Sequence, residues 1–182
     1  MTLKRNTLFD ICYFKYSIPN WEEKKEKLTT MLSDVDYEWH MCFTDFFSSE
    51  GRADYFDEWY SILNDDFDQI LPNLGLPIKS KDTWQLWSQK YKGHAYHGPH
   101  NHGACNLSAV MYVDLHWREH QGTTFYCPFP DPFFGTIRET RAQVSEGDIL
   151  FFPAMLLHSS PPTLSEYERT IISFNIPLGM ES

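Results

Sequence analysis

Along residues 53–71, apolar side chains recur at helical spacing: Phe56, Trp59, Tyr60, Leu63, Phe67, Ile70 and Leu71. The pattern predicts a helix that buries one stripe, and its acidic face, including "NDDFD" at 64–68, reads as solvated surface. Upstream, "PNWEEKKEKLTTML" predicts another helix, with Asn20 and Glu23 in the spacing of a capping box. "LPNLGLPIKS" ends the helical texture with two prolines and a glycine. From residue 80 onward the pattern changes to short β-type runs between turn residues. These are "TWQLWSQKY", "NLSAVMYVDLHW", "TTFYCPF", "FFGTIRET", "DILFFPA", "LLHSS" and "RTIISFNIP". Seven such runs without intervening helices predict an antiparallel sandwich or barrel. The expected organisation is one domain over 1–182, a mainly helical layer at 1–78 supporting a β core at 79–182.

Composition narrows this picture without changing it. With 182 residues, 42% hydrophobic and 16% aromatic, the chain has material for a packed core and is not of disordered type. A net charge of −10 argues against a nucleic-acid partner held by phosphate contacts. Cys12, Cys42, Cys105 and Cys127 are far apart with no CxxC spacing, which suits a reducing compartment better than a disulfide framework. "MTLKRNTLFDICYFKYS" has an apolar stretch too short, and broken by Asp10, for a signal peptide; a strand of the mature chain is expected there. No run approaches the ~18 apolar residues of a membrane span. A soluble, cytoplasmic protein is therefore expected.

Candidate chemistry concentrates in "YHGPHNHGACNLSAVMYVD" at 96–114. On an extended strand residues i and i+2 face the same way, so His100 and His102 aim two imidazoles at one point. HxH alone is common by chance, and a histidine near apolar residues is usually a satisfied core group. Weight comes from further along. His158 stands in a second short strand after the break at Pro153, and Arg169 follows it by eleven positions at the head of "RTIISFNIP". An arginine entering an apolar, inward-facing strand needs an anionic partner. That partner is an internal Asp or Glu, or a ligand carboxylate gripped by two parallel hydrogen bonds.

In order, "HNH", "AVMYVD", "GTTFYCP", "EGDILFFPAMLLHSSPP" and "ERTIISFN" resemble the iron(II)/2-oxoglutarate-dependent oxygenases, above all their prolyl-hydroxylase-like branch and small members from phage and marine bacteria. The resemblance spans residues 84–177. It implies a double-stranded β-helix, a jelly-roll or cupin-like barrel, with Fe(II) at one open end and 2-oxoglutarate as cosubstrate, acting as a hydroxylase. His100, His102 and His158 match the metal triad, and Arg169 matches the basic residue that binds the distal carboxylate of 2-oxoglutarate. Tyr112 matches a tyrosine that hydrogen-bonds the same carboxylate in some relatives. No catalytic residue beyond the metal centre is implied.

The family's usual carboxylate ligand is replaced here by His102. Either His102 is the third ligand or a carboxylate such as Asp114 completes the site. Three neutral imidazoles suit iron(II) and leave three coordination positions open. Loss of the carboxylate leaves the site one charge more positive, which favours a dianionic chelator. The same departure admits a three-histidine cupin-like dioxygenase working without 2-oxoglutarate, or a non-catalytic cupin-like module binding metal or ligand. Around the centre, Trp87, His97, Asn106, Ser108 and Asn175 are candidate pocket residues. Asn106 and Ser108 alternate with Tyr112, and Asn175 lies an even number of residues from Arg169. For Trp87 core packing is the competing role, and for His97 a surface loop. His40, His116 and His120 read as structural or exposed. The expected partner is a small-molecule or peptide substrate, with no nucleic acid and no membrane.

Overall fold

The computed structural model describes residues 10–162 and 166–179. A short strand, β1 (Phe14–Ser17), leads into α1 (Trp21–Met31), a hairpin of β2 (Glu38–Trp39) and β3 (Phe43–Thr44), then α2 (Phe56–Ile62) and α3 (Asn64–Leu74). The remainder is β: β4 (Gln85–Tyr91), β5 (His97–His100), β6 (Leu107–Asp114), β7 (Thr124–Tyr126), β8 (Glu139–Arg141), β9 (Asp148–Pro153), β10 (His158–Ser160) and β11 (Arg169–Ile176). Of the strand expected over 1–17, only Phe14–Ser17 forms one, as β1; residues 10–13 are not strand, and residues 1–9 lie outside the described part.

Seven strands form one antiparallel sheet in the order β1-β9-β6-β11-β4-β3-β2, and four form a smaller sheet, β5-β10-β7-β8. The large sheet is covered on both faces, so its central strands read as nearly continuous buried runs. Leu107, Ala109, Met111 and Val113 of β6 join Ile172, Phe174 and Ile176 of β11 against Phe56, Trp59, Leu63 and Phe67 of the helices. The alternate residues Val110, Tyr112, Leu150, Phe152 and Ile171 face the small sheet and pack with Phe125. Register then arranges the inner face: Ser108 opposes Asn175, Val110 opposes Ser173, and Tyr112 opposes Ile171. Across the other edge of β11, Trp87 opposes Ser173 and Tyr91 opposes Arg169.

Several local expectations need correction. The helix anticipated over 53–71 is two helices broken at Leu63, although Trp59, Leu63 and Phe67 still bury one stripe across the break. Asn20 precedes α1 in the left-handed region (φ 52°) and its side chain caps nothing, while Glu23 pairs with Lys27 at 2.7 Å. The acidic face is not wholly solvated: Asp66 is buried and holds Lys24 at 2.6 Å and the Tyr16 hydroxyl at 3.1 Å. Of "FFGTIRET" only Glu139 and Thr140 are strand, as the start of β8, because Asp131 draws the preceding segment into a turn by accepting the amides of Phe133 and Phe134. The hairpin β2–β3 lies where helix was expected. All four cysteines are free thiols, and among the described residues no helix is long and apolar enough to cross a membrane.

Candidate metal centre

Two strands of the small sheet carry the histidines. His158 of β10 is the register partner of His100 on β5, and His102, two residues past the strand, is tied by its own amide to the Ala154 carbonyl at 2.9 Å. The three rings converge, and one ring nitrogen from each lies within 4.8 Å of the others. Asp114 is not part of this group. At the opposite end of β6 its carboxylate is half exposed and pairs with Lys25 at 3.4 Å.

Hydrogen bonds fix what each histidine presents. The Nδ1 atoms of His100 and His158 sit 2.8 Å from the carbonyls of Gly98 and Leu156. A carbonyl only accepts, so each Nδ1 carries the proton and each Nε2 keeps its lone pair. His102 Nδ1 lies 2.7 Å from Asn175 Oδ1, and the Asn175 amide nitrogen donates to Gln85 Oε1 at 2.8 Å, which orients the amide and gives His102 the same tautomer. The Ser108 hydroxyl, 2.9 Å from His102 Nδ1, donates to Asn175 Oδ1 at 2.7 Å. Burial holds these rings neutral: the pKa of His158 is pushed down to about 3, and those of His100 and His102 are lowered by the same desolvation. Three neutral imidazoles with outer nitrogens anchored and inner nitrogens free are a fit for a divalent metal.

His97 differs. Its ring stacks on His100 at 3.9 Å, but its Nδ1 faces the Gln89 amide nitrogen at 3.2 Å. Gln89 Oε1 is occupied by the Ser173 hydroxyl, so His97 Nδ1 accepts and its Nε2 bears the proton. It is a hydrogen-bond donor beside the trio, and desolvation lowers its pKa to about 4.

Two cavities adjoin the trio, with Trp87, Gln89 and His97 in the walls of both. A narrow inner one, about 30 Å³, runs past Tyr112 and Thr123 to Arg169. Arg169 is 2% exposed. One terminal nitrogen donates to the Gln121 carbonyl at 2.9 Å, the other to the Ser160 hydroxyl, and the guanidinium lies 4.2 Å over the Tyr91 ring. Its Nε has no partner, and among the described residues no carboxylate pairs with it. Of the two partners a buried arginine can require, the internal carboxylate is thus missing among the described residues. The cradle fits an anionic ligand. Tyr112 lines the same cavity, its hydroxyl 2.7 Å from Thr123 Oγ1 and accepting the Thr123 amide at 3.0 Å.

The outer cavity, about 700 Å³, is bounded by Trp87, His97, Asn175 and the β2–β3 hairpin. Ser108 stands behind His102 and lines neither cavity. Asn106 is outside altogether: its left-handed backbone (φ 71°) takes it out of the β6 alternation, and its side chain is exposed and accepts the Leu178 amide at 3.1 Å. Residues not anticipated are Gln89, Thr123, Ser160, Phe46, Phe47 and His40. Gln89 and Ser160 carry a signal in the sequence, as Gln89 alternates with Trp87 and Tyr91 on β4 and Ser160 with His158 on β10.

A family model described as "Putative 2OG-Fe(II) oxygenase" matches residues 85–175, half of the chain, from the start of β4 to within one residue of the end of β11. The chain belongs to this 2OG-Fe(II) oxygenase family. Iron(II) and 2-oxoglutarate are accordingly the cofactor and cosubstrate of the oxygenase. Solved structures with the same fold include a prolyl-4-hydroxylase from Pseudomonas putida, 12% identical, TM-score 0.60, covering 93% of this chain and 94% of that one. HygX from Streptomyces hygroscopicus, with nickel, 2-oxoglutarate and hygromycin B bound, is 13% identical with TM-score 0.66 over 94% and 85% of the two chains. A viral collagen prolyl hydroxylase from Paramecium bursaria Chlorella virus-1 is 15% identical with TM-score 0.57 over 98% of each. The two facing sheets of the oxygenase are the double-stranded β-helix of these proteins. No curated protein matches its sequence.

Proposed function

We propose that the oxygenase is a hydroxylase in which His100, His102 and His158 hold iron(II) and Arg169 binds the distal carboxylate of 2-oxoglutarate. Bound together, iron and 2-oxoglutarate supply the oxidising chemistry: with O₂, the cosubstrate becomes succinate and CO₂ and one oxygen atom enters a substrate C–H bond. The chain's own task is to bind, orient and shield. Gly98, Leu156 and Asn175 lock the three ligand tautomers, so no proton has to leave an imidazole before metal binds. Arg169 meets a carboxylate with its position already set by Ser160, Gln121 and the Tyr91 ring. Tyr112 and Thr123 add hydroxyls along the same wall. The inner cavity has room for a slender chain only, so the substrate must approach through the outer one.

The observation that carries this reading is Arg169, a buried cation without a carboxylate partner among the described residues, in the cavity that holds the histidine trio. A three-histidine dioxygenase acting without 2-oxoglutarate gives that arginine nothing to do. Free thiols and the charge of −10 support a cytoplasmic protein with no nucleic-acid partner, acting on a small-molecule or peptide substrate that the outer cavity admits. The test is anaerobic titration of the iron-loaded protein with 2-oxoglutarate, followed by the visible charge-transfer band of the chelate. The band is expected in the wild type and lost at the same 2-oxoglutarate concentration in Arg169→Ala, with iron retained. A band unchanged in Arg169→Ala, or none in the wild type, would overturn the proposal.

A further inference from the structure

The outer cavity has a composition that narrows the substrate. Among the described residues no Asp, Glu, Lys or Arg lines it, although the protein carries 25 acidic and 15 basic residues. An aromatic chain runs along it from the metal site to the surface. Trp87 lies 5.5 Å from His102, Phe46 meets Trp87 at 5.0 Å and 73°, and Phe47 meets Phe46 at 5.3 Å and 89°. His40, 4.1 Å from Phe47, closes the series, and Phe47 stands 56% exposed at the mouth. The polar wall groups are already engaged with one another. Gln85 is bonded to Asn175, Gln89 to His97 and Ser173, and the Thr44 hydroxyl to the Ser88 carbonyl at 3.0 Å. A peptide backbone entering here would leave its amides without partners, which is costly once water is excluded. A cation would meet a divalent metal and Arg169, whose combined charge exceeds that of one dianionic chelator.

We propose that the substrate is an uncharged, flat aromatic small molecule seated along the wall of Trp87, Phe46 and Phe47. Offset and edge-to-face contacts with the three rings supply its affinity and point one edge at the histidine trio. His97 Nε2–H, the exposed Asn101 amide and the His40 ring remain along the cavity as polar handles, enough to orient a hydroxyl or carbonyl. This rests on the oxygenase reading of the site, but its test does not require turnover.

The zinc-loaded chain with saturating 2-oxoglutarate would be titrated calorimetrically with naphthylmethanol, naphthylmethylammonium, and an acetylated, amidated Gly-Pro-Ala peptide. The neutral alcohol is expected to bind on the order of tenfold more tightly than the ammonium, the reverse of what a protein of net charge −10 would do non-specifically. Phe46→Ala should weaken the alcohol by about tenfold, and Phe47→Lys, at an exposed position that does not endanger folding, should weaken it too. Equal or tighter binding of the ammonium, preference for the peptide, or indifference to both substitutions would overturn the proposal. Binding as expected without succinate formation in the iron protein would sink the oxygenase reading and leave the substrate class standing. Succinate formation without the binding preference would do the opposite.

Discussion

Replacing Asn175 by alanine isolates the positioning of His102. Asn175 Oδ1 accepts from His102 Nδ1 at 2.7 Å and from the Ser108 hydroxyl at 2.7 Å, and its amide donates to Gln85 at 2.8 Å. Removing it leaves Ser108 as the only partner of His102 Nδ1, and a hydroxyl can donate as readily as accept, so the ligand tautomer is no longer fixed. Loss of an outer hydrogen bond of this kind weakens metal binding by roughly 10–100-fold, or about 1.4–2.7 kcal/mol. The vacated buried hydrogen bonds should cost stability as well, about 1–3 kcal/mol. Asn175→Asp keeps an acceptor on Nδ1–H and makes the imidazole a better donor to metal, so it should bind metal at least as tightly as the wild type. The assay is anaerobic competition for iron(II) against a chromophoric chelator, with urea unfolding of the metal-free proteins alongside. Wild-type metal affinity in Asn175→Ala, while His102→Ala loses it, would refute the positioning argument. Loss in Asn175→Ala and Asn175→Asp alike would reduce Asn175 to packing.

Three further outcomes follow from the geometry. Depressed values near 3 for His158 and near 4 for His97, against the ordinary 6.5, mean that the unfolded chain binds more protons between those limits. Stability of the metal-free protein is therefore complete above pH 6.5 and declines as pH falls toward 4, and His158→Gln should flatten that slope in urea midpoints measured across the range. Asp45 is buried and accepts the Ser88 amide at 2.8 Å, the Tyr55 hydroxyl at 2.6 Å and the Ser88 hydroxyl at 3.2 Å, fastening the loop that carries Phe46 and Phe47 to β4; Asp45→Ala should cost about 2–4 kcal/mol in denaturant unfolding. Lys24→Ala strands the Asp66 carboxylate, buried at 1% exposure with the Tyr16 hydroxyl still donating to it, and should destabilise by about 3 kcal/mol in urea unfolding at neutral pH.

Much of this molecule is legible in its residues because burial leaves a periodic trace. Strands β4, β6, β9 and β11 announce themselves as apolar runs, and the stripe Phe56, Trp59, Leu63, Phe67 marks the helical layer. The convergence of His100 and His102 follows from a spacing of two. Their meeting with His158 is legible only together with Arg169, since no local rule links positions more than fifty residues apart. What escaped is set by backbone conformation and by tertiary register. Asn106 keeps the alternation of β6 in the sequence, yet its positive φ turns it outward. Asp114 keeps it too, but lies at the far end of an eight-residue strand, where Lys25 claims it. The break at Leu63 leaves the buried stripe intact and so leaves no periodic mark. Phe46 and Phe47 belong to a short segment after β3 with no period at all, and only the folded hairpin brings them to the metal site.

The most direct test of the central claim is chemical. Protein loaded anaerobically with iron(II) and 2-oxoglutarate is exposed to O₂, and succinate is measured with and without candidate aromatic substrates. Succinate is expected from the wild type, to fall steeply in His102→Ala and in Arg169→Ala. A chain that binds iron through the three histidines yet forms no succinate, or forms it equally without Arg169, would contradict the account.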